Sequence, residues 1–135
     1  MTRFPGICLD TEVCVDIIRG LRTLGDVSYV DVPRSALWVS TVTLSELGYG
    51  VRRARTPDKE RRRLAWLLEV ISVRDFDARA AEMCGMIRAR LEQQGQRIGV
   101  LDTLIGSHAL AEGAMLMTRN VREFSRIPGL AIAQL

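Results

Sequence analysis

One lysine, one histidine and three cysteines in 135 residues each exclude something. Cys8, Cys14 and Cys84 are odd in number and show no CxxC spacing, which argues against a disulfide framework or a zinc cage. They predict reduced core thiols in a cytoplasmic protein. The only lysine, Lys59, lies mid-chain, far from the last strands where a receiver-like phosphoacceptor domain needs one. The only histidine, His108, follows no nucleophile elbow, so a Ser-His-Asp hydrolase is a poor match. Aromatic residues make up 5% of the chain, too few for a base-stacking platform of the RRM kind. No apolar run approaches the roughly 20 residues that span a bilayer. Met1 to Gly6 lacks the basic patch and long apolar stretch of a signal peptide. Repeats, low-complexity tracts and Pro/Gly/Ser linkers are absent, so residues 1–135 read as one domain.

The remainder is ordinary for a globular protein, with 47% hydrophobic and 26% charged residues. The net charge of +3 is unevenly placed. Arg52, Arg53, Arg55, Lys59, Arg61, Arg62 and Arg63 face only Asp58 and Glu60, a local charge of +5 that leaves −2 for the rest. Such a strip can contact RNA phosphate, meet a protein partner, or simply be a solvated helical face.

Short apolar runs alternate with helical patterns. Ile7 to Leu9 reads as a buried strand ending at Asp10, and a helix follows from Glu12 to Arg19 with Gly20 as its stop. Leu37 to Val42 reads as a second strand, and Thr43 opens a helix to about Ala54. Thr56-Pro57 restarts a helix through Val70, with Thr56 as its N-cap. Ile71 to Asp75 reads as a strand, Asp77 to Gln94 as a helix closed by Gly95, and Leu101 to Glu112 as another ending at Gly113. Ala114 to Thr118 and Leu130 to Ile132 complete the strands. The alternation predicts an α/β domain, an α/β/α sandwich around a mainly parallel sheet. Trp38 reads as core, and Trp66 as core or part of a partner groove. His108 reads as structural or surface, on a different helical face from Asp102.

In such sheets the functional crevice lies beyond the carboxyl ends of the strands. Asp10, Glu46, Asp102, Asn120 and Glu123 all fall near strand ends or helix starts. Converging carboxylates repel one another, and a divalent cation with oxygen ligands relieves this. Mg²⁺ or Mn²⁺ would keep several waters, one of which could attack a phosphodiester. Each acid also has a plainer reading. Thr43-Leu44-Ser45-Glu46 matches a capping box, and Asp10 and Asp102 suit the positive end of a helix dipole.

Cys8-Leu9-Asp10-Thr11, the run Ser40 to Gly50, Ile98 to Asp102 with Ile105 to Ala109, and Met117 to Phe124 resemble, in order, the four motifs of the PIN-domain nucleases. The likeness is nearest to the VapC-type toxins of bacterial toxin–antitoxin pairs and extends to Arg126-Ile127-Pro128-Gly129-Leu130. The resemblance implies a Mg²⁺- or Mn²⁺-dependent endoribonuclease that cuts structured RNA, often tRNA, and is silenced by a VapB-type antitoxin. It implies that Asp10, Glu46 and Asp102 form the acidic trio around the metal, with Asp10 and Asp102 as ligands. Asn120 matches the polar residue of the last motif. Thr11 and Thr118 match residues that orient carboxylates, and Glu123 would be a further supporting acid. A homodimer is implied, expected through the apolar faces of the helices from Thr43 to Val70.

Two positions depart from the family pattern. Glu12 stands where Asn is usual, and could join the metal site, repel RNA phosphate or face solvent. Val100-Leu101 replaces the usual proline before the third acid. Arg119 and Arg122, beside the last motif, are candidates to touch substrate phosphate near the acids, with Arg52 and Arg53 further out. The rival reading is a catalytically weak PIN module that only binds RNA or a partner.

Overall fold

The strands alternate their burial between two faces, as the two-residue period of a β-strand dictates. In the computed structural model, which describes residues 6–27 and 33–135, Ile7–Leu9 forms β1, Leu37–Ser40 β2, Ser72–Arg74 β3, Met115–Thr118 β4 and Ile132–Gln134 β5. Ile7, Leu9, Leu37, Val39 and Met117 enter one apolar core, while Cys8, Trp38 and Leu116 enter the other. The five strands run in the order β3-β2-β1-β4-β5, and every pairing is parallel. The central strands β1, β2 and β4, covered on both faces, need no polar side and are mostly apolar, whereas the edge strand β3, Ser72-Val73-Arg74, is largely exposed.

Three helices cover the first face: α1 (Thr11–Ile18), α2 (Thr41–Arg53) and α3 (Pro57–Val70). They contribute Val13, Ile17, Leu47, Val51, Leu64 and Leu67. The second face is covered by α4 (Ala78–Gln93), α5 (Val100–Ala111) and the short α6 (Val121–Phe124), through Ile87, Leu91, Ile105, Ala109 and Phe124. The result is the expected α/β/α sandwich. Helices α1, α4 and α5 are closed by Gly20, Gly95 and Gly113 at φ of 76°, 64° and 67°, the left-handed region that glycine enters without a Cβ clash.

Several boundaries differ from the sequence expectation. Helix α2 starts at Thr41, and its N-cap is Ser40, whose hydroxyl accepts from the Val42 N–H at 3.1 Å. Thr43 is therefore buried inside the first turn, and Glu46 belongs to the second turn. The capping-box reading of Glu46 fails, because a carboxylate that far along cannot reach back to the cap. Thr56 holds the N-cap position of α3 with Pro57 behind it, but its side chain makes no cap bond. The last strand begins at Ile132 instead of Leu130, and short 3₁₀ turns at Gly25–Val27 and Arg34–Ala36 were not expected.

The arginine strip is not uniform. Arg63 turns inward and donates to the Ile18 carbonyl at 2.8 Å, satisfying the end of α1, while Arg53 lies over the Tyr49 ring. Arg52, Arg55, Lys59, Arg61 and Arg62 are exposed. Leu47 and Val51 of α2 and Leu64 and Leu67 of α3 point into the chain's own core. Tyr49 at 62% and Trp66 at 47% exposure are the large apolar groups these helices turn outward. Trp66 is therefore not a core residue.

Gly106 lies where α5 presses against the segment after β4. A Cβ there would collide with the Ile127 side chain and crowd the Phe124 ring. Gly106→Ala is expected to destabilise the fold by about 1–2 kcal/mol. Overpacking of about 1–3 kcal/mol is only partly offset by alanine's better helix propensity. A urea titration would show a lower midpoint with an unchanged m-value.

Candidate active site

The chain builds β1, β2 and β3 outward in one direction, then crosses back to lay β4 on the other side of β1. The order reverses between β1 and β4, and a crevice opens beyond their carboxyl ends. Asp10 stands at that point. It is the N-cap of α1, 4% exposed, and its N–H donates to the Met117 carbonyl at 2.9 Å, tying it to the neighbouring strand. Its carboxylate accepts from the Thr11 N–H at 2.8 Å and from the Thr118 hydroxyl at 2.7 Å.

Thr11 links Asp10 to Glu46. Its hydroxyl donates to Glu46 Oε1 at 2.7 Å, so the 3.0 Å bond to Thr43 Oγ1 has Thr43 as donor. Thr118 plays a similar part on the β4 side. It donates to Asp10 and accepts from the Asn120 N–H at 2.9 Å. The Asn120 amide in turn donates to Glu123 Oε2 at 3.2 Å. Asp102, in the first turn of α5, completes the group.

Electrostatics shows how closely these acids crowd. Burial pushes the Asp102 carboxyl up to about 7, assisted by a hydrogen bond shared with Glu123 and by the charges of Asp10, Glu123 and Glu46. Burial also raises Asp10. The Thr118 and Thr11 hydrogen bonds pull it back, and the charges of Glu12 and Glu46 push it up again. Asp10, Glu46, Asp102 and Glu123 thus sense one another across four crossover regions that are distant in sequence. Glu123 is more central than expected, since it is among the groups that raise the Asp102 carboxyl.

The donors are all hard oxygens, the chemistry suited to Mg²⁺ or Mn²⁺ and unsuited to softer metals. Among the described residues no three acidic, histidine or cysteine side chains already form a closed cage. That is compatible with a small cation that keeps most of its waters and takes one or two carboxylates directly. The surplus negative charge, registered in the raised Asp102, is what such an ion would neutralise.

The remaining candidates lie at the rim or away from it. Glu12 is exposed, and Arg119 donates to it at 3.4 Å. Arg119 also meets the buried Asp16 at 3.3 Å. Arg122 is exposed on α6, and Arg52 and Arg53 lie at the far end of α2. His108 is fully buried, so the surface alternative is excluded. Its Nδ1 bonds Ser40 Oγ at 2.9 Å, and its ring packs edge-on to Trp38 and Phe76. Burial lowers its pKa, partly countered by Glu112 and Asp77, which leaves a neutral imidazole at pH 7. It braces the cap of α2 from behind the site.

Thr43 and Asp16 escape a reading of the sequence. Thr43 reads in the sequence as the opening of α2, whereas the helix starts at Thr41 and turns the Thr43 hydroxyl inward to Thr11. Asp16 had one available signal, its position four residues after Glu12 on the same helical face.

A PIN domain profile matches residues 7–130. The chain belongs to the PIN-domain family. A tRNA(fMet)-specific endonuclease VapC from Shigella flexneri is 34% identical over 122 residues, covering 90% of this chain and 92% of that protein. A ribonuclease VapC2 from Rickettsia felis is 36% identical over 128 residues, covering 92% and 93%. The solved structure of DNA-bound VapBC from Salmonella typhimurium superposes with a TM-score of 0.88 at 32% identity, covering 96% of this chain and 97% of that one. These relatives place the chain on the VapC branch of the PIN family, with the sheet and helix layers described above.

Proposed function

We propose that this PIN domain is a divalent-cation-dependent endoribonuclease that serves as the toxin of a toxin–antitoxin pair and cuts structured RNA such as tRNA. The observation that carries this reading is the crowding of Asp10, Glu46, Asp102 and Glu123 at the switch point of the sheet, with Asp102 pushed up to about 7. Such a concentration of buried and half-buried acid destabilises the free protein, and a bound cation would relieve it.

Asp10 and Asp102 would hold the cation, with Glu46 and Asn120 completing the reactive group. When bound, Mg²⁺ or Mn²⁺ lowers the pKa of a coordinated water and polarises the phosphodiester. Thr118 and Thr11 fix the Asp10 carboxylate by two short hydrogen bonds. The Thr43–Thr11–Glu46 chain holds Glu46 toward the crevice without a contribution from the capping geometry. Asp102, raised to about 7, would give up its proton to hold a cation, so cation affinity is expected to rise between about pH 6 and pH 8. Hydrolysis forms a new P–O bond from water and breaks the P–O3′ bond. The products are a 5′-phosphate and a 3′-hydroxyl that takes up the proton.

The antitoxin partner is proposed from the solved VapBC neighbours, and would be a VapB-type chain. An arginine from it, placed near the acids, would compete with the cation. A homodimer and a cytoplasmic site of action belong to the same proposal. The purified chain incubated with an initiator tRNA transcript should cleave it in Mg²⁺ or Mn²⁺ and stop in EDTA. Intact RNA under every metal condition would overturn the proposal.

A further inference from the structure

The rim of the crevice carries an arrangement that the acidic centre does not use. Glu12 and Asp16 lie four residues apart on α1, so their like charges face each other on one side of the helix. Arg119, the residue after Thr118, reaches across from the end of β4 and pairs with both. The two pairings are unequal. Asp16 has a side chain only 9% exposed, meets Arg119 Nε at 3.3 Å, and is also approached by Arg22 at 3.6 Å. Glu12 has a side chain 65% exposed and takes a single contact from Arg119 Nη2 at 3.4 Å. Asp16 is the anchor, and Glu12 is a loosely held anion on the solvent side.

Arg119 is 46% exposed. A guanidinium has five N–H donors in a fixed fork, and these two contacts occupy only part of it. Its orientation is set by a buried partner on one edge, which leaves the outer edge directed at whatever anion lies at the rim. In the free protein that anion is Glu12. One residue back, Thr118 holds Asp10, so an anion at the outer edge of Arg119 lies beside the acidic centre.

We infer that Arg119, oriented by Asp16, is a phosphate-binding residue for the RNA strand entering the crevice, and that Glu12 is an intramolecular stand-in which the phosphate must displace. The inference rests on the ribonuclease reading and adds to it a binding contact and a built-in competitor. Glu12 acts through Arg119 and does not touch the reacting atoms. It weakens RNA binding by occupying the guanidinium and by adding a negative charge at the entrance. Asp16 holds Arg119 in place when Glu12 is released, so the fork stays aligned.

The test measures cleavage of an initiator tRNA transcript in Mn²⁺ across salt concentrations, with wild type, Glu12→Gln, Arg119→Ala, Arg119→Lys and the Glu12→Gln/Arg119→Ala double variant. Glu12→Gln is expected to lower KM about 3- to 10-fold with kcat within about twofold. Arg119→Ala is expected to raise KM about tenfold and to reduce the slope of log affinity against log salt by about one. Arg119→Lys should recover part of that loss, since it keeps the charge and loses the fork. The double variant should keep less than half of the gain, on a logarithmic scale, that Glu12→Gln gives alone, because Glu12 competes through Arg119. If the pair were only structural, Glu12→Gln would lower the melting temperature and leave KM unchanged or raised, and that result overturns the inference. An unchanged KM in Arg119→Ala, or a full Glu12→Gln gain in the absence of Arg119, would overturn it as well. Wild type that leaves the RNA intact would sink the ribonuclease reading itself, a different outcome from an active wild type with silent variants.

Discussion

Asp102→Asn is expected to lower RNA cleavage by about 10²–10³-fold or more while leaving the protein folded and, without metal, more stable. Both halves follow from one cause. The Asp102 carboxyl is held up at about 7 by burial, by its shared hydrogen bond with Glu123 and by the charges of Asp10, Glu123 and Glu46. Asparagine keeps the shape and removes the charge. It would weaken cation binding and, with it, the reaction. It would also end a repulsion that the native state carries whenever Asp102 ionises.

The pH dependence gives this prediction its sign. In the folded, metal-free protein Asp102 holds its proton up to about pH 7, whereas an unfolded aspartate loses it near its ordinary value of 3.8. Between those limits the native state binds more protons, so stability is greatest at the acidic end and falls as pH rises toward 7. Asp10, also raised, contributes in the same direction. In EDTA the wild type should therefore melt lower at pH 8 than at pH 5.5, as far as this group is concerned. At pH 8 Asp102→Asn should melt higher than wild type by roughly 3–8 °C, for about 1–2 kcal/mol of relieved repulsion. Added Mn²⁺ should stabilise wild type and leave the variant nearly unmoved. Thermal melts at the two pH values, with and without metal, check each part. A variant that cleaves at the wild-type rate would remove Asp102 from the site.

Much of this arrangement is legible in the sequence, and what is not has a physical explanation. Short apolar runs and glycine stops mark the strands and helices, because a strand covered on both faces needs no polar side and a helix closes readily at a residue free to take positive φ. The convergence of Asp10 and Asp102 follows from their places after a strand and at a helix start, once the sheet is known to be parallel. The start of α2 is not legible in the sequence because Thr41-Val42-Thr43 suits a strand as well as a first helical turn. The decision is made by the Ser40 hydroxyl, which caps the helix and also meets His108, 68 residues away. The pairing of Asp102 with Glu123, and of Arg119 with Asp16, likewise depends on which segments the fold brings together. Trp66 failed as a core residue for a similar reason: it shares helical spacing with the leucines but lies just off the buried stripe of α3.

The largest loss of stability is expected from Trp38→Ala, and the comparison with Trp38→Phe is the informative part. Trp38 is fully buried in β2, with the His108 ring centroid at 4.8 Å edge-on and the Arg74 guanidinium 4.8 Å from its own ring. Truncation to alanine leaves a cavity beneath α5 and costs about 3–5 kcal/mol. That is a large share of the 5–15 kcal/mol that holds a typical domain together. It also removes a wall of the pocket in which His108 braces Ser40, the cap of α2 and hence of the helix carrying Glu46. Phenylalanine behaves differently because the indole Nε1 is buried with no hydrogen-bond partner among the described residues. An orphaned N–H of that kind costs about 1–3 kcal/mol in the native state, and phenylalanine removes it along with part of the ring. The two changes oppose each other, so Trp38→Phe is expected to cost no more than about 1–2 kcal/mol. Urea midpoints for both variants, at equal m-values, measure the difference. A phenylalanine variant as unstable as the alanine one would mean that the indole N–H is satisfied in solution, with an internal water as the natural partner.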